Sequence, residues 1–193
     1  MLKLIGNKIN IAVFISGNGS NFKNLIYESK KKRSVYKIKL VISNKATAKG
    51  LLYARKFKIK KKIINYLNEK NAEKTILSEL KKNKIDLICL AGFMKILSKS
   101  FIKKFKGKIM NIHPSLLPKY KGLNTHQRTI NNKEKYSGCT VHYVNSKLDS
   151  GKIILQKKVK ILKTDTSSSL AKKILKQEHI LYPKALKKVL TSL

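Results

Sequence analysis

Two kinds of hydrophobic pattern alternate along the first half of the chain. Continuous apolar runs of strand length, such as Ile9 to Ile15 and Ile85 to Ala91, are typical of strands that are buried on both faces of a sheet. Between them, apolar residues recur at helical spacing, as in Ser20 to Lys31. Strands that alternate with helices predict an α/β fold with a mostly parallel central sheet and helices on both of its faces.

The same rules place the remaining elements. Further strands are predicted at Tyr36 to Ser43, Ile59 to Tyr66 and Ile109 to Ile112, and further helices at Thr47 to Phe57 and around Ala72, Ile76, Leu77 and Leu80. In the second half the pattern changes, because a loop rich in proline and glycine runs to Gly122. Two strands without a helix between them, Cys139 to Val144 and Lys152 to Val159, predict an antiparallel hairpin. A long last helix is predicted from Ser167 to Leu193, with a kink at Pro183.

Length and composition favour a single domain. The chain has 193 residues, of which 42% are hydrophobic, and this is enough for a buried core in one domain over residues 1–193. No apolar run approaches the ~20 residues of a membrane-spanning helix, and the short first run resembles neither an anchor nor a cleavable signal peptide. Cys89 and Cys139 lie in apolar runs without metal-ligand or disulfide spacing, which fits a reducing, cytoplasmic compartment.

Basic residues dominate the charge balance, since 45 Lys+Arg against 9 Asp+Glu give a formal net charge of +36. Such a potential attracts phosphate, and it indicates either a nucleic-acid-binding face or a generally basic surface. Only three of the 45 are arginine, which base readout favours, and the lysines are spread along the chain rather than clustered. This distribution favours a generally basic surface, and no dedicated nucleic-acid partner is expected.

A glycine loop, Ser16-Gly17-Asn18-Gly19-Ser20-Asn21, joins the first predicted strand to the first helix. Glycines permit a tight turn, and the N–H groups at a helix N-terminus bind phosphate. The dinucleotide fingerprint is incomplete, because Phe22 stands at its third glycine position, and no Walker-type Gly-Lys-Ser is present. The loop therefore predicts a site for a single phosphate. The alternative is a plain turn with Asn18 or Ser20 as the helix cap.

The segment from Met110 to Pro118 carries the strongest chemical signal. Asn111 and His113 lie two residues apart on an extended segment, so both side chains point to the same face. Pro114 keeps His113 extended, and ligand sites in open α/β sheets lie at the carboxyl ends of strands. An amide N–H can stabilise an oxyanion, and an imidazole can move protons near neutral pH. We predict a catalytic pair here; the alternative is a buried hydrogen-bonded pair that shapes the loop.

Acidic residues are scarce, and Asp149 is the candidate partner for His113. It lies in a turn between two predicted strands. One interpretation is that Asp149 only stabilises the turn, a position that aspartate favours. The other is that its carboxylate is the partner of the His113 imidazole, which it would orient and whose pKa it would raise. Asp165 is interpreted as a helix cap, His142 as a structural residue, and His126 stays ambiguous. Four dispersed histidines predict no metal site.

Together these segments resemble the phosphoribosylglycinamide (GAR) formyltransferase family, in order and over nearly the whole chain. The motifs that carry the likeness are Ile15 to Asn21, Leu90 to Leu97, Asn111 to Pro118, Gly138 to Val144 with Asp149-Ser150-Gly151, and Gln177-Glu178-His179 with Tyr182-Pro183. The resemblance implies a single-domain Rossmann-like formyltransferase fold, with a phosphate-binding half at 1–91 and a folate-binding and catalytic half at 92–193. It also implies transfer of the formyl group of 10-formyltetrahydrofolate to the primary amine of GAR, giving formyl-GAR in de novo purine biosynthesis.

The resemblance also implies roles for individual residues. Asn111 and a protonated His113 are implied to stabilise the tetrahedral oxyanion, and Asp149 to keep His113 charged and help relay the proton. The residues implied to bind GAR are Gly19, Ser20, Asn21, Gln177 and Glu178. Those implied to bind the folate co-substrate are Met94, Lys95, Ile96, Leu97, Asn111, Asn145 and Leu148. No metal is implied.

Some positions depart from the pattern of the resembled family. Lys95 stands where relatives often carry Arg, and Asn124 stands where many carry a first His, two residues before His126. Lys70 is the nearest cation to the position of the family's folate-tail Arg. A C-terminal extension found in relatives is expected to be missing, because the chain ends soon after the last predicted helix.

Three other functions are alternatives. A methionyl-tRNA formyltransferase shares the Asn–x–His–Pro core and would explain the charge, but that family looks to need a further C-terminal RNA-binding domain. A formyltetrahydrofolate hydrolase would carry an additional N-terminal domain. A basic nucleic-acid-binding protein on the same fold would bind with steep salt dependence and transfer no formyl group. The expected protein is a cytoplasmic monomer or weak homodimer that acts on small molecules.

Overall fold

The computed structural model describes residues 8–192, and the backbone groups into two compact units that divide between Met110 and Asn111. This division lies further along the chain than the one after Ala91 that the sequence suggests. The assignment of residues 1–193 to one domain stays a prediction.

The first unit alternates strands and helices. Its strands are β1 (Ile9–Ile15), β2 (Tyr36–Ser43), β3 (Lys60–Ile63) and β4 (Leu87–Leu90), and its helices are α1 (Ser20–Ser29), α2 (Leu51–Lys56), α3 (Glu69–Lys82) and α4 (Lys99–Lys104). Strand β1 pairs in parallel with β2 and with β4, and β2 pairs in parallel with β3. A fifth strand, β5 (Lys108–His113), begins in this unit and ends in the second.

The second unit contains the end of β5, an antiparallel strand pair and two helices. These are α5 (Thr125–Asn131), β6 (Tyr136–Tyr143), β7 (Ile153–Lys160) and α6 (Ser167–Thr191). The strand order β3-β2-β1-β4-β5-β6-β7 confirms the predicted mostly parallel sheet, and the C-terminal hairpin and long last helix are confirmed as well. Leu193, the predicted end of this helix, lies outside the described residues. The helix passes through Pro183, and the kink stays a prediction.

Burial explains why these segments form strands. Residues 11–15 of β1 are all 0% exposed, because a strand in the middle of a parallel sheet is covered on both faces. In β2, the exposed Lys37 and Lys39 alternate with the buried Ile38 and Leu40. All four residues of β3, at the edge of the sheet, are exposed. Three of the four are lysines, and such charges prevent an edge strand from pairing with another chain.

One predicted helix begins later in the structure, and two short helices are additional to the prediction. Helix α2 begins at Leu51 rather than Thr47, because Gly50 packs against the glycine loop. A Cβ on Gly19 would lie 2.6 Å from the Gly50 Cα, and the Gly50 N–H donates to the Gly17 carbonyl at 3.0 Å. Helices α4 and α5 were not predicted, because their 6 and 7 residues are too few to show a helical period.

The cap of α6 is Thr166 and not the predicted Asp165. The Thr166 hydroxyl accepts the Ser169 N–H, and the Ser169 hydroxyl accepts the Thr166 N–H, so the two residues form a capping box. Asp165 instead accepts a hydrogen bond from the Ser169 hydroxyl and pairs with Lys173 at 2.7 Å. These bonds hold the pKa of the Asp165 carboxyl at about 2, the hydrogen bond from Lys173 contributing most.

Candidate active site

Strand β5 delivers two polar side chains at its carboxyl end, in the second unit. Asn111 is half-buried, and His113 is only 5% exposed. Successive side chains of a strand point to opposite faces, so Asn111 and His113 share a face and the buried Ile112 points away from it. The predicted amide–imidazole pair is therefore positioned by an ordinary strand.

Asp149 lies in the loop between β6 and β7 and reaches His113. Its Oδ2 lies 3.4 Å from Nδ1 of His113 and accepts the Gly122 N–H at 2.9 Å. The φ of Asp149 is 43°, in the left-handed region that aspartate adopts more readily than most residues. Gly151 allows the end of the loop to pass close to the end of β6, since a Cβ there would lie 1.7 Å from the Tyr143 carbonyl oxygen. Asp149 is thus both a turn residue and a neighbour of the imidazole.

His142 completes the cluster, and sequence reasoning missed it. Its Nδ1 lies 2.8 Å from the Tyr143 carbonyl oxygen, which can only accept, so this nitrogen carries the ring proton. Its Nε2 then accepts from Nδ2 of Asn111 at 3.3 Å and lies 3.5 Å from Oδ1 of Asp149. The interpretation of His142 as merely structural is incomplete, and the signal that could have found it is the neighbouring position of β6 and β5 in the sheet.

Burial lowers the pKa of His113, although the Tyr120 carbonyl and Asp149 both act to raise it. Asp149 acts on this pKa in the expected direction, but burial determines the net shift, which is downward. Taking a charged imidazole out of water in a site that is 5% exposed outweighs the attraction of one carboxylate at 3.4 Å. It follows that the resting imidazole of His113 is neutral at neutral pH.

The carboxyl of Asp149 stays ionised beside this neutral ring. Burial acts to raise its pKa, but the Gly122 N–H, which donates to Oδ2 at 2.9 Å, stabilises the ionised form, and the net effect holds the pKa below its usual value. A negative charge therefore faces Nδ1 of His113 and favours a proton on the ring as soon as one is delivered.

The free energy of unfolding is expected to fall as the pH drops from about 7 to about 5. Burial lowers the pKa of His113 and of His126, so the unfolded chain takes up protons in this range before the folded protein does. The stabilisation is complete above the unfolded-state pKa and is lost as the pH falls through the folded-state pKa. Each histidine contributes a slope of at most about 1.4 kcal/mol per pH unit.

Urea titrations at a series of pH values measure this slope. The variant His126→Asn should have a shallower slope than the parent protein, because it lacks one of the two groups. An unfolding free energy that stays constant from about pH 7 to about pH 5 would contradict the buried neutral state of both rings.

In the first unit, the glycine loop enters α1 without a side-chain cap. Gly19 is the N-cap residue, with a left-handed φ of 69°, and neither Asn18 nor Ser20 caps the helix, so the cap predicted for the plain-turn alternative is wrong. The unpaired N–H groups in the first turn of a helix attract anions. The single-phosphate site stays a prediction, and the loop has the local geometry that it requires.

Ser16 connects the glycine loop to the segment that follows β4. Its hydroxyl donates to Oδ1 of Asn44 at 2.5 Å and accepts the Met94 N–H at 2.8 Å. Its own N–H donates to the Gly92 carbonyl at 3.0 Å. Ser16 is 6% exposed, so these bonds are protected from water and fix the two segments against each other within the first unit.

The remaining predicted ligand contacts differ in how accessible they are. In the first unit, the Met94 and Ile96 side chains are 58% and 67% exposed, Lys95 lies 5.7 Å from the centre of the Tyr66 ring, and Leu97 is buried. Leu97 can therefore offer a ligand only its backbone. In the second unit, the exposed residues are Asn145 and Leu148, Gln177 is half-buried and Glu178 is buried.

Residues 8–192 contain neither a metal-binding cluster nor a membrane-spanning helix. No group of three or more His, Cys, Asp or Glu side chains in this range could hold a metal ion. No helix in the same range is long and apolar enough to cross a membrane.

Comparison with known proteins identifies relatives of the whole chain. A sequence profile described as formyl transferase matches residues 9–186. The phosphoribosylglycinamide formyltransferase of Haemophilus influenzae is 43% identical over 180 residues, which are 92% of this chain and 85% of that protein. The trifunctional purine biosynthetic protein adenosine-3 of Gallus gallus is 42% identical over 190 residues, 97% of this chain but 19% of the relative, so the chain spans about a fifth of its length.

A solved structure agrees with these sequence matches. The crystal structure of phosphoribosylglycinamide formyltransferase from Anaplasma phagocytophilum has a TM-score of 0.91 and 41% sequence identity, covering 96% of this chain and 88% of that chain.

Proposed function

Since the chain belongs to the formyl transferase family, we propose that it transfers the formyl group of 10-formyltetrahydrofolate to the primary amine of GAR, giving formyl-GAR in purine biosynthesis. The observation that carries this proposal is the convergence of Asn111, His113 and Asp149 in the second unit, where contacts of 3.3 to 3.5 Å, two of them through His142, join the three side chains.

Asn111 stabilises the oxygen on which charge develops. When the amine nitrogen of GAR attacks the formyl carbon, the formyl oxygen becomes an oxyanion. The amide of Asn111 has two N–H groups, and one of them is directed to Nε2 of His142. The other remains for the oxyanion, and His142 fixes the orientation of the amide in advance of the reaction.

His113 moves the proton that the attacking amine loses. Nε2 of His113 lies 2.9 Å from the Tyr120 carbonyl oxygen, so the neutral ring carries its proton there and leaves Nδ1 as the base. When Nδ1 takes up the proton, the ring becomes positive 3.4 Å from Asp149, which stabilises it. The protonated His113 that the family resemblance implies is thus formed during the reaction, and in that form it stabilises the oxyanion.

The tetrahedral intermediate then expels the folate nitrogen. The bond between the formyl carbon and that nitrogen breaks, the formyl carbonyl of the product re-forms, and the proton passes from His113 to the folate nitrogen directly or through water. One proton has left the amine and one has reached the folate, so His113 returns to its neutral resting state and Asp149 remains ionised throughout.

The substrate contacts are assigned separately in each unit. In the first unit, Gly19, Ser20 and Asn21 hold the phosphate of GAR, and the segment Met94 to Leu97 contacts the pterin. In the second unit, Gln177 and Glu178 contact the ribose or glycinamide of GAR, and Asn111, Asn145 and Leu148 contact the folate. Cys89 and Cys139 are buried thiols rather than a disulfide, which supports a cytoplasmic location. We assign the protein as a monomer or weak homodimer without a dedicated nucleic-acid partner.

The double variant Ser20→Ala with Asn21→Ala tests the phosphate contact. We expect KM for GAR to rise by roughly 10-fold or more, because one hydrogen bond to a charged group contributes about 1.5–3 kcal/mol. KM for the folate should change by less than about 2-fold, since the phosphate belongs to GAR alone. Initial rates with each substrate varied in turn measure both constants.

A matched control is Ser34→Ala, which removes a hydroxyl from the same unit. This hydroxyl bonds only with the backbone of Tyr36, so both KM values should stay at those of the parent protein. If the double variant raised the two KM values equally, the glycine loop would not be a phosphate site.

A further inference from the structure

Tyr120 has a strained backbone conformation beside His113. Its φ is 57°, in the left-handed region that is unfavourable for a bulky side chain. The Tyr120 carbonyl oxygen lies 2.9 Å from Nε2 of His113 and accepts a second hydrogen bond from the Ser115 hydroxyl at 3.3 Å. Such a conformation persists only where the surrounding contacts hold it, and strain of this kind is concentrated at functional sites.

The Tyr120 side chain is held at both its hydroxyl and its ring. The hydroxyl donates to Oε1 of Glu134 at 2.7 Å, and the guanidinium of Arg128 lies 5.1 Å from the ring centre. The flanking residues are held by the same two side chains, since Lys119 donates to Glu134 at 2.7 Å and Arg128 donates to the Lys121 carbonyl at 2.7 Å. Glu134 and Arg128 therefore hold residues 119–121 in place through hydrogen bonds and a cation–π contact, and this fixes the direction of the Tyr120 carbonyl.

The direction of that carbonyl decides which nitrogen of His113 carries the proton. A neutral imidazole has one N–H and one lone pair, and a carbonyl oxygen can only accept. A contact of 2.9 Å at Nε2 therefore requires the proton there, and Nδ1, which lies 3.4 Å from Asp149, is left with the lone pair. Without the carbonyl, the carboxylate would draw the proton to Nδ1, and the base that the reaction needs would be lost.

We propose that Tyr120, held by Glu134 and Arg128, is the positioning residue of His113. Its carbonyl keeps the ring proton on Nε2 and leaves Nδ1 free to exchange a proton next to Asp149. The consequence for turnover rests on the proposed formyl transfer, whereas the state of the ring does not. Tyr120 acts through His113, since its side chain contacts Glu134 and Arg128 rather than the reacting groups.

The test is ¹⁵N NMR of the protein labelled at histidine, combined with kinetics. The chemical shifts of the two ring nitrogens report which one carries the proton, and the variant His113→Gln identifies the His113 signals among the 4 histidines. The test variants are Tyr120→Phe and Glu134→Ala, which remove the donor and the acceptor, respectively, of the bond between the Tyr120 hydroxyl and the Glu134 carboxylate. The control is Tyr136→Phe, which removes another tyrosine hydroxyl from the same cavity, lined by Tyr120, Glu134 and Tyr136.

The charged and titratable groups that face His113 are the same in all of these proteins. They are Asp149 from the loop after β6, His142 on β6, and His126 and Arg128 on α5. Tyr120 and Glu134 line a cavity, so water can replace the lost bond and at least one of the two variants should keep the fold. A change in the His113 signals therefore reports the loss of positioning.

In the parent protein and in Tyr136→Phe, we expect neutral His113 to carry its proton on Nε2. In the test variants the proton should be shared between the two nitrogens, and kcat should fall by roughly 5-fold, the factor that corresponds to one hydrogen bond of about 1 kcal/mol. KM for both substrates should stay within about 2-fold of the parent value. A parent ring protonated on Nδ1, or test variants that match the control, would overturn the proposal. A parent protein that transfers no formyl group would overturn the proposed function, while the NMR spectra would still decide the role of Tyr120.

Discussion

Replacing His113 by alanine lowers kcat for formyl transfer by roughly 10²–10⁴-fold, the usual contribution of a positioned proton-transfer group. The residue is assigned both to the removal of the amine proton and to the charge that stabilises the oxyanion, so its loss affects the transition state rather than substrate binding. KM for GAR and for the folate should therefore change little. Steady-state kinetics at neutral pH, with each substrate saturating in turn, give these constants.

The fold of this variant needs its own control, because the His113 side chain is 5% exposed and its removal leaves a cavity. The variant His113→Gln fills more of that space and still offers an amide to the Tyr120 carbonyl. Both variants should unfold cooperatively by circular dichroism, and both should lose turnover to a similar degree. A variant that is folded and retains near-normal kcat would show that His113 has no part in the chemistry.

Replacing Asp149 by asparagine lowers kcat by roughly 10²–10⁴-fold and shifts the pH dependence of the rate. The negative charge at 3.4 Å acts to raise the pKa of His113, so its removal lowers that pKa further. Turnover requires a neutral His113 at the start, and the rate rises with pH as the ring loses its proton. The rising acid limb of the profile should therefore move to lower pH in Asp149→Asn.

A suitable control is Asp165→Asn, which removes a carboxylate from the same unit. Asp165 pairs with Lys173 on α6, so its loss should change stability without moving the acid limb. The amide of Asp149→Asn can still accept the Gly122 N–H through its oxygen, so the turn itself is kept. If Asp149→Asn showed the acid limb of the parent protein, Asp149 would be a turn residue only.

The pattern of hydrophobic and polar residues is sufficient to predict the first two strands of the sheet. Strands β1 and β2 begin and end at the predicted residues, because long apolar or alternating runs have few other stable arrangements. The pairing of Asn111 with His113 can also be predicted from the sequence, since two residues that are two positions apart on one strand share a face wherever the strand lies. The match of Asn111 and His113 to the family motif is consistent with this geometry.

Features that depend on contacts between residues distant in sequence cannot be predicted from the hydrophobic pattern. Helix α2 begins late because Gly50 meets Gly19, a contact across 31 positions. The sequence indicates only a structural role for His142, because its contacts with Asn111 and Asp149 exist only once β5 and β6 are neighbours. The net lowering of the His113 pKa is also outside the reach of the pattern. Sequence suggests the charged partner but gives no measure of burial, and burial dominates here.

The central claim is that the acceptor is the amine of GAR. The measurement that tests it most directly compares initial rates of formyl transfer from 10-formyltetrahydrofolate to GAR, to methionyl-tRNA and to water, with the purified protein at one concentration. We expect formyl-GAR as the product, with no transfer to tRNA and no hydrolysis at a comparable rate. Transfer to tRNA, or tight salt-sensitive RNA binding without transfer to GAR, would contradict the account and would give the net charge of +36 a function.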